Sequence, residues 1–205
     1  ATPNVFVFTP GQNWSGSDVF AVGVSDGTAS ASIVINVTVE PVNDAPTIIQ
    51  GTSVSVGMSE DSVPFAWNSP TIDASDLDGD ALVWKLLALP THGTASVSGT
   101  GLFPATFNYQ PADDYNGIDN FTIQVSDGNL SDEITVKVEM SPVNDAPVVQ
   151  QGAVVSVTMS EDGNPFPWVA PSLTASDQEE DLLVWNLSKQ PLHGAALVGG
   201  VGASP

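Results

Sequence analysis

Two short acidic groups carry the chemistry this chain is able to do. Asn43-Asp44 lies between Pro41 and Pro46, and thirty-two residues beyond Asp44 comes Asp76-Leu77-Asp78-Gly79-Asp80. Flanking prolines stiffen the first segment and hold it extended. In a loop, carboxylates two residues apart grip one ion from one side, and Gly79 permits the tight turn this needs. Ca2+ takes about six to eight oxygens at roughly 2.3–2.6 Å in flexible geometry, which loop carboxylates and carbonyls supply. Asp127, in the last Ser-Asp-Gly turn, is a further donor. An EF-hand does not fit: Ala81 stands where that loop needs glycine and Leu87 where it needs a bidentate glutamate. For any single aspartate here, capping a turn is the competing explanation.

Other chemistry is poorly served. The chain has no cysteine, so neither a disulfide framework nor a thiolate zinc site is available, and metal is the obvious alternative staple. His92 and His193 sit in Pro-x-His-Gly turns without further zinc ligands. No Gly-x-Ser-x-Gly nucleophile motif occurs, and the acids lie in turns rather than as a pair in a cleft, so an enzyme is not expected. Three Lys+Arg against 24 Asp+Glu give a formal net charge of −21, which repels nucleic acid and anionic membranes. The 41% hydrophobic content, arranged in alternating runs, argues against disorder. No run approaches the roughly 18 apolar residues of a membrane span, and no signal peptide opens the chain.

The elements that must position these acids repeat. Pro-Val-Asn-Asp-Ala-Pro occurs at Pro41–Pro46 and at Pro142–Pro147, a spacing of 101 residues. The same shift lays Met58-Ser59-Glu60-Asp61 on Met159-Ser160-Glu161-Asp162, Trp84 on Trp185, and Phe20 on Phe121. The unit is therefore a domain of about 100 residues. Residues 47–143 make a complete repeat, with linkers at 43–46 and 144–147. Residues 1–42 match only a C-terminal half and residues 148–205 only an N-terminal half, and Pro3, Pro104 and Pro205 align. The chain thus reads as a fragment cut inside a repeat at both ends. The apolar periodicity is two: Val54, Val56 and Met58; Leu82, Trp84 and Leu86; Phe121, Ile123 and Val125; Ile134, Val136, Val138 and Met140. About seven such strands per 100 residues, separated by Gly- and Asp-rich turns, predict an all-β, immunoglobulin-like Greek-key sandwich in tandem. Phe65, Trp67, Trp84 and Phe121 are the expected centre of the middle core. Each half repeat alone exposes an open edge and half a core, so the C-terminal half of one molecule is expected to complete the N-terminal half of another.

Val125-Ser126-Asp127-Gly128, an alternating strand, and then Pro142-Val143-Asn144-Asp145-Ala146-Pro147 resemble the end of a cadherin-type repeat, whose linker reads Asp-x-Asn-Asp-x-Ala-Pro. Asp76–Asp78 resembles that family's Asp-x-Asp motif, and Glu60-Asp61 its early acidic motif. The Asn-Asp-Ala-Pro form, with Gly117-Ile118-Asp119-Asn120-Phe121, is most similar to bacterial cadherin-like repeats of large secreted adhesins. The resemblance covers the whole chain and implies calcium between successive domains. At the first junction it implies Asn43 and Asp44, with Asp76, Asp78 and Asp127 from the domain below. At the second it implies Asn144 and Asp145, with Asp177 and Glu179 below and Glu60 and Asp119 above. In a swapped assembly Glu161 serves the first junction and Asp26 the second. Two departures reduce the expected ion count below three per junction. Pro41 and Pro142 replace the family's first linker aspartate, and its mid-domain Asp-x-Glu has no clean match among Asp113, Asp114 and Asp119.

The reading is a calcium-stiffened spacer and adhesion repeat of a bacterial extracellular or cell-surface protein. Its expected partners are neighbouring repeats, further copies of itself, and surface glycans or proteins. The alternative is a carbohydrate-binding module of a polysaccharide-degrading enzyme. Trp67/Trp168 and Trp84/Trp185 fall in strand patterns as core residues, which leaves Trp14 as the sugar-stacking platform.

Overall fold

The computed structural model describes residues 5–204; Pro3 and Pro205, which align the ends of the repeat, lie outside them. The described chain is all-β. The N-terminal part holds β1 (Gly16–Ser25) and β2 (Ser30–Val39). The middle part holds β3 (Thr47–Ile48), β4 (Ser53–Ser59), β5 (Ala74–Ser75), β6 (Val83–Ala88), β7 (Gly93–Thr100), β8 (Thr106–Pro111), β9 (Gly117–Ser126) and β10 (Ser131–Ser141). The C-terminal part holds β11 (Val148–Val149), β12 (Ala175–Ser176), β13 (Val184–Asn186) and β14 (Gly199–Val201).

Alternation makes the middle strands. In β10 the buried positions are Ile134, Val136, Val138 and Met140, and in β9 they are Asp119, Phe121, Ile123 and Val125. A pleated strand sends successive side chains to opposite faces, so every second residue lines the core. Each fully buried side chain of this kind contributes about 1.5–3 kcal/mol. The turn joining β9 to β10 is held by Asp127, whose Oδ1 accepts from the amides of Asn129 and Leu130. β10 then pairs in parallel with β4, from Thr135 opposite Ser53 to Ser141 opposite Ser59. The sheet order is β4-β10-β9-β6-β7-β8. The β7–β8 hairpin folds back over the sheet and closes the sandwich: Tyr109 of β8 stacks on Phe121 of β9, with ring centroids 5.7 Å apart. Trp84 is buried in this core and its indole NH donates to the Gly101 carbonyl at 2.8 Å.

One expectation for the core is corrected. Phe65 is 66% exposed, whereas Trp67 packs partly buried against Tyr109 and Phe107. The alternation of β4 ends at Ser59, where the backbone turns and the Phe65 carbonyl accepts from the Ser59 amide. Beyond that turn, parity along the chain no longer reports the face.

A small sheet at one pole sets up the acidic loops. β3 pairs with β5, Thr47 opposite Ser75 and Ile48 opposite Ala74. The Ile48 amide donates to Asp132 Oδ2 at the start of β10, which ties this pole to the main sheet. Asp44 therefore enters just before β3, and Asp76 leaves just after β5. β11 and β12 repeat the pairing, Val148 opposite Ser176.

Candidate metal centres at the two linkers

At the first linker, the Asp44 amide donates to Asp78 Oδ2 at 2.7 Å. The Asn43 carboxamide donates to Asp127 Oδ2 at 2.8 Å and to the Asp44 carbonyl at 2.9 Å. Asp76 Oδ1 accepts from the amides of Asp78 and Asp80, at 3.0 Å each. Its Oδ2 is buried and has no hydrogen-bond partner. Asp76, Asp78 and Asp80 each present a carboxylate oxygen within 4.8 Å of the other two. The Asn43 carboxamide, followed by the Leu130 and Asn129 amides, holds the Asp127 carboxyl below the usual carboxylate range.

The second linker repeats this geometry and adds to it. The Asp145 amide donates to Glu179 Oε2 at 3.0 Å, and the Asn144 carboxamide to the Asp145 carbonyl at 2.7 Å. Asp177 Oδ1 accepts from the Asp181 amide at 3.0 Å. From the preceding domain, Glu60 is buried and accepts from the Val143 amide at 2.5 Å and from the Asn116 carboxamide at 3.3 Å. Burial, then the charges of Asp61, Glu179, Asp114 and Glu60, push the Asp145 carboxyl above its ordinary value. Asp145 Oδ2 is also buried without a hydrogen-bond partner.

These two orphaned oxygens test whether a divalent cation fits. A buried carboxylate oxygen with no donor is costly, and each one here sits among further carboxylates. Lys137–Glu139 is the only ion pair recorded among the described residues, so side-chain cations do not answer the charge at either linker. The donors are hard oxygens in loops, which suits Ca2+ over a softer metal.

Within each linker group the hydrogen bonds join Asn43, Asp44, Asp76, Asp78 and Asp127, and join Asn144, Asp145 and Glu179, with Glu60 held to the adjoining Val143 amide. The structure adds Asp80 to the first group, and the charges of Asp61 and Asp114 are felt at Asp145 in the second. A signal existed for two of the three: Asp80 ends the Asp-x-Asp-x-Asp run, and Asp61 sits beside Glu60 in the repeated Ser-Glu-Asp.

Asp119 is corrected. It is 2% exposed in β9, and its oxygens accept from the Thr91 and His92 amides and the Tyr109 hydroxyl, all at 2.9 Å. Burial pushes its carboxyl up, but these donors and the Asn120 amide outweigh burial and hold it below the usual range. Its lone pairs are spent inside the sandwich, where it locks the 90–92 turn to β8 and β9. Asp26 is exposed and accepts from the Thr28 and Ala29 amides of its own turn. Glu161 is exposed and shows no side-chain hydrogen bond among the described residues.

Known proteins agree with the fold. A family described as bacterial Ig domain matches residues 43–139. FRAS1-related extracellular matrix protein 1 of Homo sapiens is 31% identical over 181 residues, covering 71% of this chain. The chain spans 8% of the length of that relative. The structure of protocadherin gamma B2 extracellular cadherin domains 1–5 overlays with a TM-score of 0.54 at 16% identity, covering 92% of this chain and 38% of that one. An endo-fucoidan hydrolase of glycoside hydrolase family 107 overlays at only 0.37, with 22% identity over 63% of this chain and 19% of that one, too loosely to carry an argument. The fold is an immunoglobulin-like β-sandwich.

Proposed function

We propose that this chain is a calcium-stiffened spacer and adhesion repeat of a larger, bacterial, extracellular or cell-surface protein. One observation carries the reading. Just below the first linker Asp76, Asp78 and Asp80 each bring a carboxylate oxygen within 4.8 Å of the other two, Asp78 accepts from the Asp44 amide, and Asp76 keeps a buried oxygen with no donor. Bound Ca2+ supplies the positive charge that neutralises such a group. The residues themselves do the mechanical work. The Asp145 amide to Glu179 fastens the linker to the domain below, and Glu60 to the Val143 amide fastens it to the domain above. Without neutralisation the carboxylates repel across the junction and the linker is free to flex. The extracellular and bacterial parts of the reading rest on the extracellular matrix relative and the bacterial Ig domain match.

Calcium titration by calorimetry tests it. The expected dissociation constant is about 10⁻⁴–10⁻³ M, as in extracellular modules. At a hundredfold excess, binding adds about 2.7 kcal/mol to the loaded state, so chelator lowers the melting temperature. Asp145→Asn weakens the titrated affinity at least about tenfold, a change of roughly 1.4 kcal/mol. A chain that gives no binding heat and melts identically with and without chelator ends this reading.

A second reading has one specific observation behind it. Trp14 is 41% exposed and lines a shallow cleft of about 240 Å³ with Glu40, Asp44 and Asp78. A sugar ring stacked on this indole beside the linker acids makes the chain a carbohydrate-binding module. Glycan-array retention that is lost in Trp14→Ala favours it, and a blank array disposes of it.

A further inference from the structure

Tension along a string of repeats enters the middle repeat at one linker and leaves it at the other. Between the linkers, β4 and β10 lie side by side in parallel, from Ser53 opposite Thr135 to Ser59 opposite Ser141. β4 begins toward the first linker, and β10 runs out into the second. A pull through the two linkers therefore drags these strands past each other along their own length. All the bonds of the ladder are loaded together. A pull from an end the strands share would break the same bonds one after another. Backbone bonds close the ladder at both limits: the Thr135 amide donates to the Thr52 carbonyl at 3.0 Å, and the Glu60 amide to the Ser141 carbonyl at 3.2 Å.

Two side-chain clips lie beyond these limits. On the incoming side the Ile48 amide donates to Asp132 Oδ2 at 2.8 Å, and on the outgoing side the Val143 amide donates to Glu60 Oε1 at 2.5 Å. Each clip joins the segment that brings tension in to the segment that carries it out. The core resists sliding as well. Ile134, Val136 and Val138 of β10 are fully buried, Met58 of β4 is 2% exposed, and Val54 and Val56 pack against the same core. A slip of one residue would turn the apolar face of β4 outward. The next compatible register is two residues away, roughly 6.6 Å of travel, so the ladder bonds are lost before new ones form.

We propose that the middle repeat carries tension along the chain, with the β4–β10 ladder as the clamp that keeps it folded under load. The inference rests on the spacer reading for the source of the tension. The clamp itself consists of donors and acceptors on this chain and holds without metal.

Single-molecule stretching of the 205-residue chain tests it, with chelator present so that failure here leaves the calcium reading untouched. The chain has no cysteine, so handles attach only where a pair of cysteines is introduced. Val42→Cys with Ala146→Cys pulls from linker to linker. Val42→Cys with Asn129→Cys pulls from the pole where β4 and β10 both begin. All three positions are exposed. Rupture of the middle repeat is recognised by the length released, roughly 3.3–3.6 Å per residue between the handles. At equal loading rate the linker-to-linker force is expected to be at least about twice the one-pole force, because forced unfolding follows the barrier crossed in the pulled direction. Equal forces in the two directions overturn the proposal. Thr135→Pro deletes the amide given to Thr52. It is expected to lower the linker-to-linker force clearly and the one-pole force less. An equal fall in both puts the resistance outside this ladder and also overturns the proposal. The handle comparison leaves the core unaltered and decides alone if Thr135→Pro does not fold.

Discussion

The two linkers share one local design, and the second of them follows the complete middle repeat. In both, an asparagine carboxamide donates to the next carbonyl, and an aspartate amide donates to an acid thirty-four residues on. The first linker gathers its acids from the domain that follows: Asp76, Asp78, Asp80 and Asp127. The second also receives Glu60, Asp61 and Asp114 from the domain before it, and their charges join burial in pushing up the Asp145 carboxyl. At the first linker the counterpart of Asp114 is Asn13, which lines the cleft beside Asp44. The hexamer and its acidic loop therefore build only half of a junction. The other half comes from the far pole of the preceding sandwich.

The comparison is sharpened most by separating Asp114 from Asp119. Asp119→Asn is expected to destabilise the chelated middle sandwich by about 2–4 kcal/mol, since a buried amide cannot accept from all the donors the carboxylate satisfies. Calcium affinity should stay unchanged. Asp114→Asn should do the reverse, and denaturant melts beside calorimetry read both. The opposite assignment of effects would put Asp119 back at the junction. Because the Asp119 carboxyl lies below its unfolded value, its contribution is fully present above the ordinary aspartate range. It is lost as pH falls through the depressed folded value, so the acid limb of stability should flatten in Asp119→Asn.

A smaller effect is expected in the loop below each linker. Gly79 has φ 79, and at the same place in the C-terminal part Glu180 has φ 60, a left-handed conformation that strains a side-chain-bearing residue. Glu180→Gly should relieve about 1 kcal/mol. The check is amide exchange at Asp181, which should slow several-fold. Faster exchange would mean that the Glu180 side chain stabilises this loop. Smallest is Asn13→Asp, at a position sharing φ 56 with Asp114. One added charge is expected to tighten calcium at the first linker two- to fivefold, about 0.5–1 kcal/mol. No change in the titration would show that position 13 does not face the first linker as Asp114 faces the second.

Much of this was legible in the chain. The alternation of Ile134, Val136, Val138 and Met140 marked the buried face of β10, because a pleat has a period of two. Asn43-Asp44 and Asp76–Asp78 were legible as a group because short loops hold them on either side of the β3–β5 pairing. Phe65 was misread because alternation stops at the turn after Ser59. Asp119 was misread because nothing local distinguishes an acid that caps a buried turn from one that faces a linker; the Tyr109 hydroxyl and the Thr91 and His92 amides decide it.

By itself, then, the sequence determined the alternation of the middle strands, the faces that β9 and β10 turn inward, and the nearness of Asn43-Asp44 to Asp76–Asp78. All of these follow from the geometry of neighbouring residues. Tertiary structure alone decided which acids arrive from the other pole and which apolar faces find a cover. Phe121 of β9 is sealed because Tyr109, from β8, stacks on it with ring centroids 5.7 Å apart. A side chain is buried by what lies opposite it, and that surface comes from a distant stretch of chain.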